Sequence, residues 1–319
     1  MRPVLAAVAL GLFLAGGARP LRGGAAVSAA YLLSGVSPQE DALGQGALAA
    51  DQSPAELWRN PAAMGGSDGV GLALTHALGP LGADVEYLAA DLSCGRQSLG
   101  LQGFYQGDSD TFRDDQGQIG ASFGNQESLL GLAYALELGS ASVGAGVKVL
   151  GESLAGQSAD SGAMVDLGCL WRFWNRGLQL AVAAQNLGSP PHWDGGTQYS
   201  PATVGLSARE ALGGSGRVRL YQDGRLVLPT NPSNGVETRN APVLGGAGLE
   251  LALATPALPV FLRCGYAQGD NQPNGIYGIS AGFGLGWRGF QFDYAFSSLG
   301  DLGALNRLGL SWIPQGATP

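Results

Sequence analysis

From residue 69 to residue 313 the chain repeats one device, an alternation in which every second side chain is apolar and the residues between are small or polar. In "SVGAGVKVL" (142–150), Val143, Ala145, Val147 and Val149 share a face, and Ser142, Gly144, Gly146 and Lys148 share the other. "SLLGLAYALEL" (128–138) sets Leu130, Leu132, Tyr134, Leu136 and Leu138 against Gly131, Ala133, Ala135 and Glu137. "GAMVDLGCLWR" (162–172) and "GFQFDYAFSS" (289–298) divide the same way. A period of two is the period of a β-strand. A water-soluble sheet with one wet face also alternates, so a β-sandwich stays open on this evidence alone. Two features point further. The segments run about nine to eleven residues, the length a tilted strand needs to cross hydrocarbon. Their second face is rich in glycine where a soluble sheet would carry Lys, Glu and Thr, which leaves room for something inside a closed wall.

The pattern predicts an all-β fold, a transmembrane antiparallel β-barrel of about fourteen strands over 69–313, with a short N-terminal helical hatch. The even count suits a bacterial outer membrane. "GQIGASFG" (117–124) reads as an extension or loop piece, and 107–116, 186–199 and 228–242 read as surface loops. The domain reading is a signal peptide over 1–29, with its cleavage site between 18 and 30, then a hatch over 30–68, the barrel, and a tail over 314–319. Arg2 followed by "VLAAVALGLFLAGGA" has the charged start and short apolar run of an export signal. Small residues at Gly16 and Ala18, or Val27 and Ala29, offer cleavage points.

"DQSPAELWRNPAAM" (51–64) departs from the strand pattern. Ser53 suits a helix cap, Pro54 the first helical position and Glu56 the third, while Pro61 stops the helix after Asn60. The hatch residues are therefore Ser53, Glu56, Trp58, Asn60 and Pro61, with Trp58 as a lumen-facing anchor. A helix packed beneath the barrel is the alternative. Strand parity places Lys148, Asp166, Arg172, Gln179, Arg209, Glu250, Arg263, Gln291, Asp293 and Arg307 on the inner face. There, mixed charges form paired networks that support a plug or line a path.

Other classes find little material. The net charge is −8 with one lysine, Lys148, so a nucleic-acid surface is excluded. Three dispersed cysteines give neither a disulfide framework nor a metal motif. The two histidines, His76 and His192, lack the neighbours of a hydrolytic site. "DNQPNG" (270–275) lacks calcium-loop spacing and reads as a hairpin loop. The glycines of "GFGLGWRG" (282–289) sit in a strand with no following helix, unlike a phosphate cradle. No enzyme activity, cofactor or metal is expected.

Several blocks together resemble the PorV/PorQ family, relatives of FadL-type outer-membrane barrels. These are "DALGQGALAADQSPAELWRNPAAM" (41–64), "LALTHALGPLGADVEYLAADL" (72–92), "VDLGCLWR" (165–172), "AAQNLG" (183–188), "LRCGY" (262–266) and "DYAFSSLGDLGALNRLGLSW" (293–312). The sequence departs from the family pattern at Gln45-Gly46-Ala47, and at Arg59, inserted after Trp58. The resemblance implies an N-terminal segment folded back into the lumen. It also implies one of two roles: a PorV-type protein that handles or tethers exported proteins with secretion-system components, or a FadL-type passive channel for long-chain fatty acids or other hydrophobic small molecules. The first is the reading the sequence favours. Outer-membrane lipid is a partner in either case.

Overall fold

The structure, a computed structural model, describes residues 28–46, 48–50, 53–64, 68–79, 82–113, 116–173, 177–194, 198–213, 216–231, 235–236, 243–253, 258–268 and 277–313. The expected signal region through residue 27, the 270–275 loop, most of 232–242 and the tail lie outside the described residues.

Fourteen long strands form the wall. They are β1 (Gly69–Leu78), β2 (Asp84–Cys94), β3 (Gln97–Arg113), β4 (Ile119–Leu138), β5 (Ala141–Leu154), β6 (Gly162–Phe173) and β7 (Leu178–Ser189), followed by β8 (Ser200–Leu212), β9 (Val218–Asn231), β10 (Val243–Leu253), β11 (Val260–Gln268), β12 (Tyr277–Trp287), β13 (Phe290–Leu299) and β14 (Ala304–Trp312). Each pairs antiparallel with its neighbours in the chain, and β14 closes on β1 from Leu72 opposite Trp312 to Leu78 opposite Asn306. Closure leaves no sheet edge, which is what lets strands cross a layer that cannot satisfy backbone hydrogen bonds. Two-residue pieces, Gln157–Ser158 and Gly235–Val236, extend the β5 and β9 hairpins.

The outward parity is apolar and exposed. Leu72, Leu74, Leu88, Leu92, Leu130, Leu132, Val147, Val149, Leu308 and Leu310 all present large aliphatic side chains to the surroundings, Leu130 with 61% of its surface. Continuous exposure of this kind is tolerable only against lipid. Trp171, Phe173, Trp287 and Phe290 ring one end of the band, and Tyr105 and Tyr266 stand toward the other, as interfacial aromatics do. This is a transmembrane β-barrel of a bacterial outer membrane.

One end carries tight turns. Arg288 (φ 49°) and Gly289 (φ 87°) form a two-residue connection whose paired positive φ values match the twist of the flanking strands. Short turns mark the periplasmic side of such barrels and longer loops the external side. The external rim is uneven. β3 and β4 have 17 and 20 residues, whereas β1 and β14 have 10 and 9. At about 3.3 Å per residue and a tilt near 40°, the β3–β4 hairpin stands roughly 20 Å above the apolar band.

The hairpin corrects the sequence reading of 107–116 as a loop, since β3 continues through Arg113. Outside the bilayer neither face must be apolar, so the alternation that reveals a strand fades while the pairing continues from Gly107 opposite Gln126 to Thr111 opposite Ser122. Residues 186–189 and 228–231, read as loop, likewise belong to β7 and β9. The segment 117–124 is an extension of β4 from Ile119.

Candidate functional site

The inner face of the wall is rich in small residues, and the described residues of 28–64 lie against it. At the external mouth the Ser28 N–H donates to the Tyr199 carbonyl at 3.0 Å. The chain then descends and crosses the barrel before entering β1. Its passage explains several inner glycines. A Cβ on Gly144 would stand 2.5 Å from the Ala62 nitrogen, and one on Gly248 2.6 Å from the Leu43 carbonyl oxygen. Gly168 faces the Asn60 side chain and Gly265 the backbone of Gly44 with equally little room. Glycine here admits another backbone at contact distance.

The segment holds an α-helical turn, α1 (Pro38–Ala42), and three short 3₁₀ turns, Ala30–Leu33, Pro54–Trp58 and Pro61–Ala63. Residues 53–64 are thus two tight turns rather than one capped helix. The Ser53 hydroxyl accepts from Ala55 N–H at 3.3 Å, two residues on, and Asn60 Oδ1 accepts from Ala62 N–H at 3.0 Å. Two prolines seven residues apart, Pro54 and Pro61, leave no length for an α-helical ladder between them. Sequence reasoning missed α1, although "SPQE" (37–40) repeats the Ser-Pro-x-Glu pattern of "SPAE" (53–56), and Ser37 accepts from Glu40 N–H.

Two environments hold the segment. Toward the outside the contacts are apolar. Tyr31 stacks on Phe104 (ring centroids 5.0 Å, interplanar angle 7°), Trp58 tilts on the same ring at 5.1 Å, and Tyr87 meets Trp58 edge-on at 5.7 Å. Leu32, Val36, Ala73, Ala77, Val85, Leu129 and Leu150 are among the other members of this cluster. A second set of contacts is charged. Arg307 on β14 donates Nε to Asp41 at 2.6 Å and its terminal nitrogens to the carbonyls of Val36 (3.3 Å) and Gly35 (2.8 Å). Arg59 pairs with Glu40 and donates to the Leu33 carbonyl at 3.1 Å. Across the barrel, Arg225 donates to Gln45 at 2.9 Å, and Asp223 accepts from Leu48 N–H at 3.3 Å. All of these charged side chains are buried, so removing one partner strands the other in a medium that solvates it poorly.

The inner-face residues named from parity fall into separate groups. Lys148 reaches Asp166 at 2.8 Å and Asn186 at 2.5 Å, with its ammonium 5.9 Å from the Trp58 ring centre. Asp166 sits at a bulge, where the β6–β7 register shifts between Val165 and Leu167, and it accepts the Asn186 N–H at 2.8 Å. Gln185, next along, donates to the Trp58 carbonyl at 2.9 Å. Arg263 bridges Glu250 at 2.8 Å and Asp293 at 2.5 Å, and Arg219 joins Glu250 at 2.9 Å. That second group lines a cavity of about 430 Å³ at the short-turn end, together with Ser37, Ser53, Phe261 and Gln291. Arg172 stands apart, donating to Ser142 at 2.7 Å. Glu56, Trp58, Asn60 and Pro61 are buried within the segment and Ser53 is half-buried. Glu40, Asp41, Asp223 and Arg225 were not recognised from sequence. Arg59, which reads as an insertion against the family pattern, is the residue that ties two turns of the segment together.

The architecture is therefore a closed membrane barrel with its own N-terminal segment inside. No protein-family model matches the chain, and no curated protein matches it in sequence. Solved structures do match. The Ralstonia pickettii toluene transporter TbuX is 14% identical with a TM-score of 0.59, the match covering 88% of this chain and 98% of that one. The CymD monoaromatic hydrocarbon channel is 12% identical with a TM-score of 0.59, covering 89% and 99%. A Pseudomonas aeruginosa FadL homologue is 13% identical with a TM-score of 0.57, covering 88% and 98%. What these structures share with this chain is the fold.

Proposed function

We propose that this protein is a passive outer-membrane channel for small hydrophobic molecules, with residues 28–64 as its plug. The observation that carries the reading is the apolar cluster of Tyr31, Trp58, Tyr87 and Phe104 at the external end of the lumen. A barrel that passes hydrophilic solutes keeps a wet, charged lumen at that level. Here a flat aromatic side chain already occupies a slot against Phe104, in surroundings that suit an aromatic hydrocarbon or an acyl chain. Below it the path meets the polar cavity around Arg263, where a solute would regain water. The full-length fold match to proteins described as hydrocarbon transporters favours this role over the secretion-associated one that the PorV/PorQ resemblance suggests.

Uptake of radiolabelled toluene and oleate by cells expressing the protein, against cells lacking it, tests the assignment. At least one of the two should enter several-fold faster, with sucrose entry unchanged because the plug fills the lumen. Equal rates for both labels with and without a folded, heat-modifiable barrel would overturn it.

A further inference from the structure

A tyrosine side chain cut at its Cβ is p-cresol, and Tyr31 holds that ring in the aromatic cluster of the lumen. The ring lies on Phe104 with centroids 5.0 Å apart and planes 7° from parallel, and Trp58 shares the same Phe104 ring at 5.1 Å. The apolar end of the slot is therefore well filled. Its polar end is not. The Tyr31 hydroxyl donates to the Ser128 carbonyl at 3.4 Å, far from the roughly 2.7–2.8 Å usual for a hydroxyl donor. Next to Ser128 on β4, one carboxylate oxygen of Glu127 is buried and has no hydrogen-bond partner among the described residues. Glu152, opposite Glu127 on β5, is already engaged by the Ser28 hydroxyl at 3.2 Å and the Trp193 indole at 3.0 Å. A buried acceptor left unmet at the polar end of an aromatic slot calls for a hydroxyl that the tethered ring does not deliver.

The tether itself is light. Polar contacts within the plug begin at Leu33, whose carbonyl accepts from Arg59 at 3.1 Å, and at Ser34, whose carbonyl accepts from the Trp58 indole at 2.9 Å. Ahead of them, Ala29 enters the Ala30–Leu33 turn in a left-handed conformation (φ 57°, ψ 41°) that its Cβ disfavours. Withdrawing Tyr31 separates no ion pair and frees Ala29 to leave that conformation. We propose that the slot is a binding site for a monocyclic phenol of p-cresol's size, which takes the place of Tyr31 on Phe104 and donates its hydroxyl to Glu127. A free ring can shift along Phe104 to reach that carboxylate. A phenol is neutral at pH 7, so it supplies the donor without bringing a charge among apolar side chains. The inference rests on the channel reading and narrows its solutes to hydroxylated single rings.

Calorimetric titration of the protein in lipid nanodiscs, with empty discs as reference, compares p-cresol with toluene, which lacks only the hydroxyl. Tyr31→Ala removes the tethered competitor and should bind p-cresol about tenfold more tightly than the unmutated protein does. It should also prefer p-cresol to toluene by about tenfold, the worth of one hydrogen bond to a charged group. Adding Glu127→Leu should abolish that preference and leave toluene binding unchanged. In the unmutated protein, saturating p-cresol should speed hydrogen exchange at the Leu32 and Ser34 amides, whose bonds to Ala29 and Tyr31 close the turn. That readout holds even if Tyr31→Ala fails to fold. Equal affinity for the two solutes, or unchanged exchange at those amides, would overturn the proposal. The channel reading is judged apart from it, by entry of toluene and oleate into cells, so a slot without preference for the phenol in a protein that admits toluene would sink this inference alone.

Discussion

Two regions of the plug are held by different physics. Around Tyr31 and Trp58 the contacts are aromatic and aliphatic, both rings on Phe104 and Leu32 and Val36 among alanines. Around α1 and Leu48 buried charges fix the chain to opposite sides of the wall, Asp41 to Arg307 on β14 and Leu48 to Asp223 on β9. Packing contacts are broad and forgiving, so a hydrophobic solute can replace one apolar neighbour with another at little cost. Buried ion pairs cannot be exchanged that way, because separating them exposes each charge to a poor solvent. The aromatic region is thus the part that a solute can displace, and the charged region is the frame.

The largest expected effect comes from breaking the frame. Deleting residues 51–64 should leave the barrel heat-modifiable, since closure depends on strand pairing. Planar-bilayer recordings should show steady conductance where the intact protein is nearly closed. A deletion protein that stays closed would show that the remaining turns suffice to block the lumen.

Arg307→Ala should be next, at about 3–5 kcal/mol, because it leaves the Asp41 carboxylate buried alone. Hydrogen exchange should then report lost protection across 35–45. Combining Arg307→Met with Asp41→Leu should recover most of that protection, since replacing a buried pair is far cheaper than halving it. Tyr31→Ala should cost roughly 3 kcal/mol, at the low end for truncating a buried aromatic, with the added exchange confined to residues 28–36. Spread of that exchange into α1 would erase the distinction between the two regions. The smallest effects belong to the caps. Ser37→Ala and Ser53→Ala should each cost about 0.5–2 kcal/mol, read as a modest loss of exchange protection in the adjoining turn.

Legibility in the sequence followed the solvent. Where lipid touches the wall, every outward residue must be apolar, so Leu130, Leu132, Val147 and Val149 announce their strands and assign Lys148 and Gly146 to the inside. Above the bilayer that pressure lifts, and 107–113 gave no sign of being strand. The plug was legible as local punctuation, Ser-Pro-x-Glu and Asn-Pro, but not as two 3₁₀ turns, whose short pitch reflects the room inside the barrel. Its charge pairs were hidden for a different reason. Asp41 and Arg307 are 266 residues apart in the chain and meet because α1 packs on the last strands, β11–β14.

That separation has a consequence for biogenesis. The plug precedes every strand in the chain, while Arg307 stands on the last strand to be synthesised. Asp41 therefore waits without its partner through every intermediate that lacks β14. Because α1 packs on β11–β14, the part of the wall made last is the part that locks what the barrel encloses.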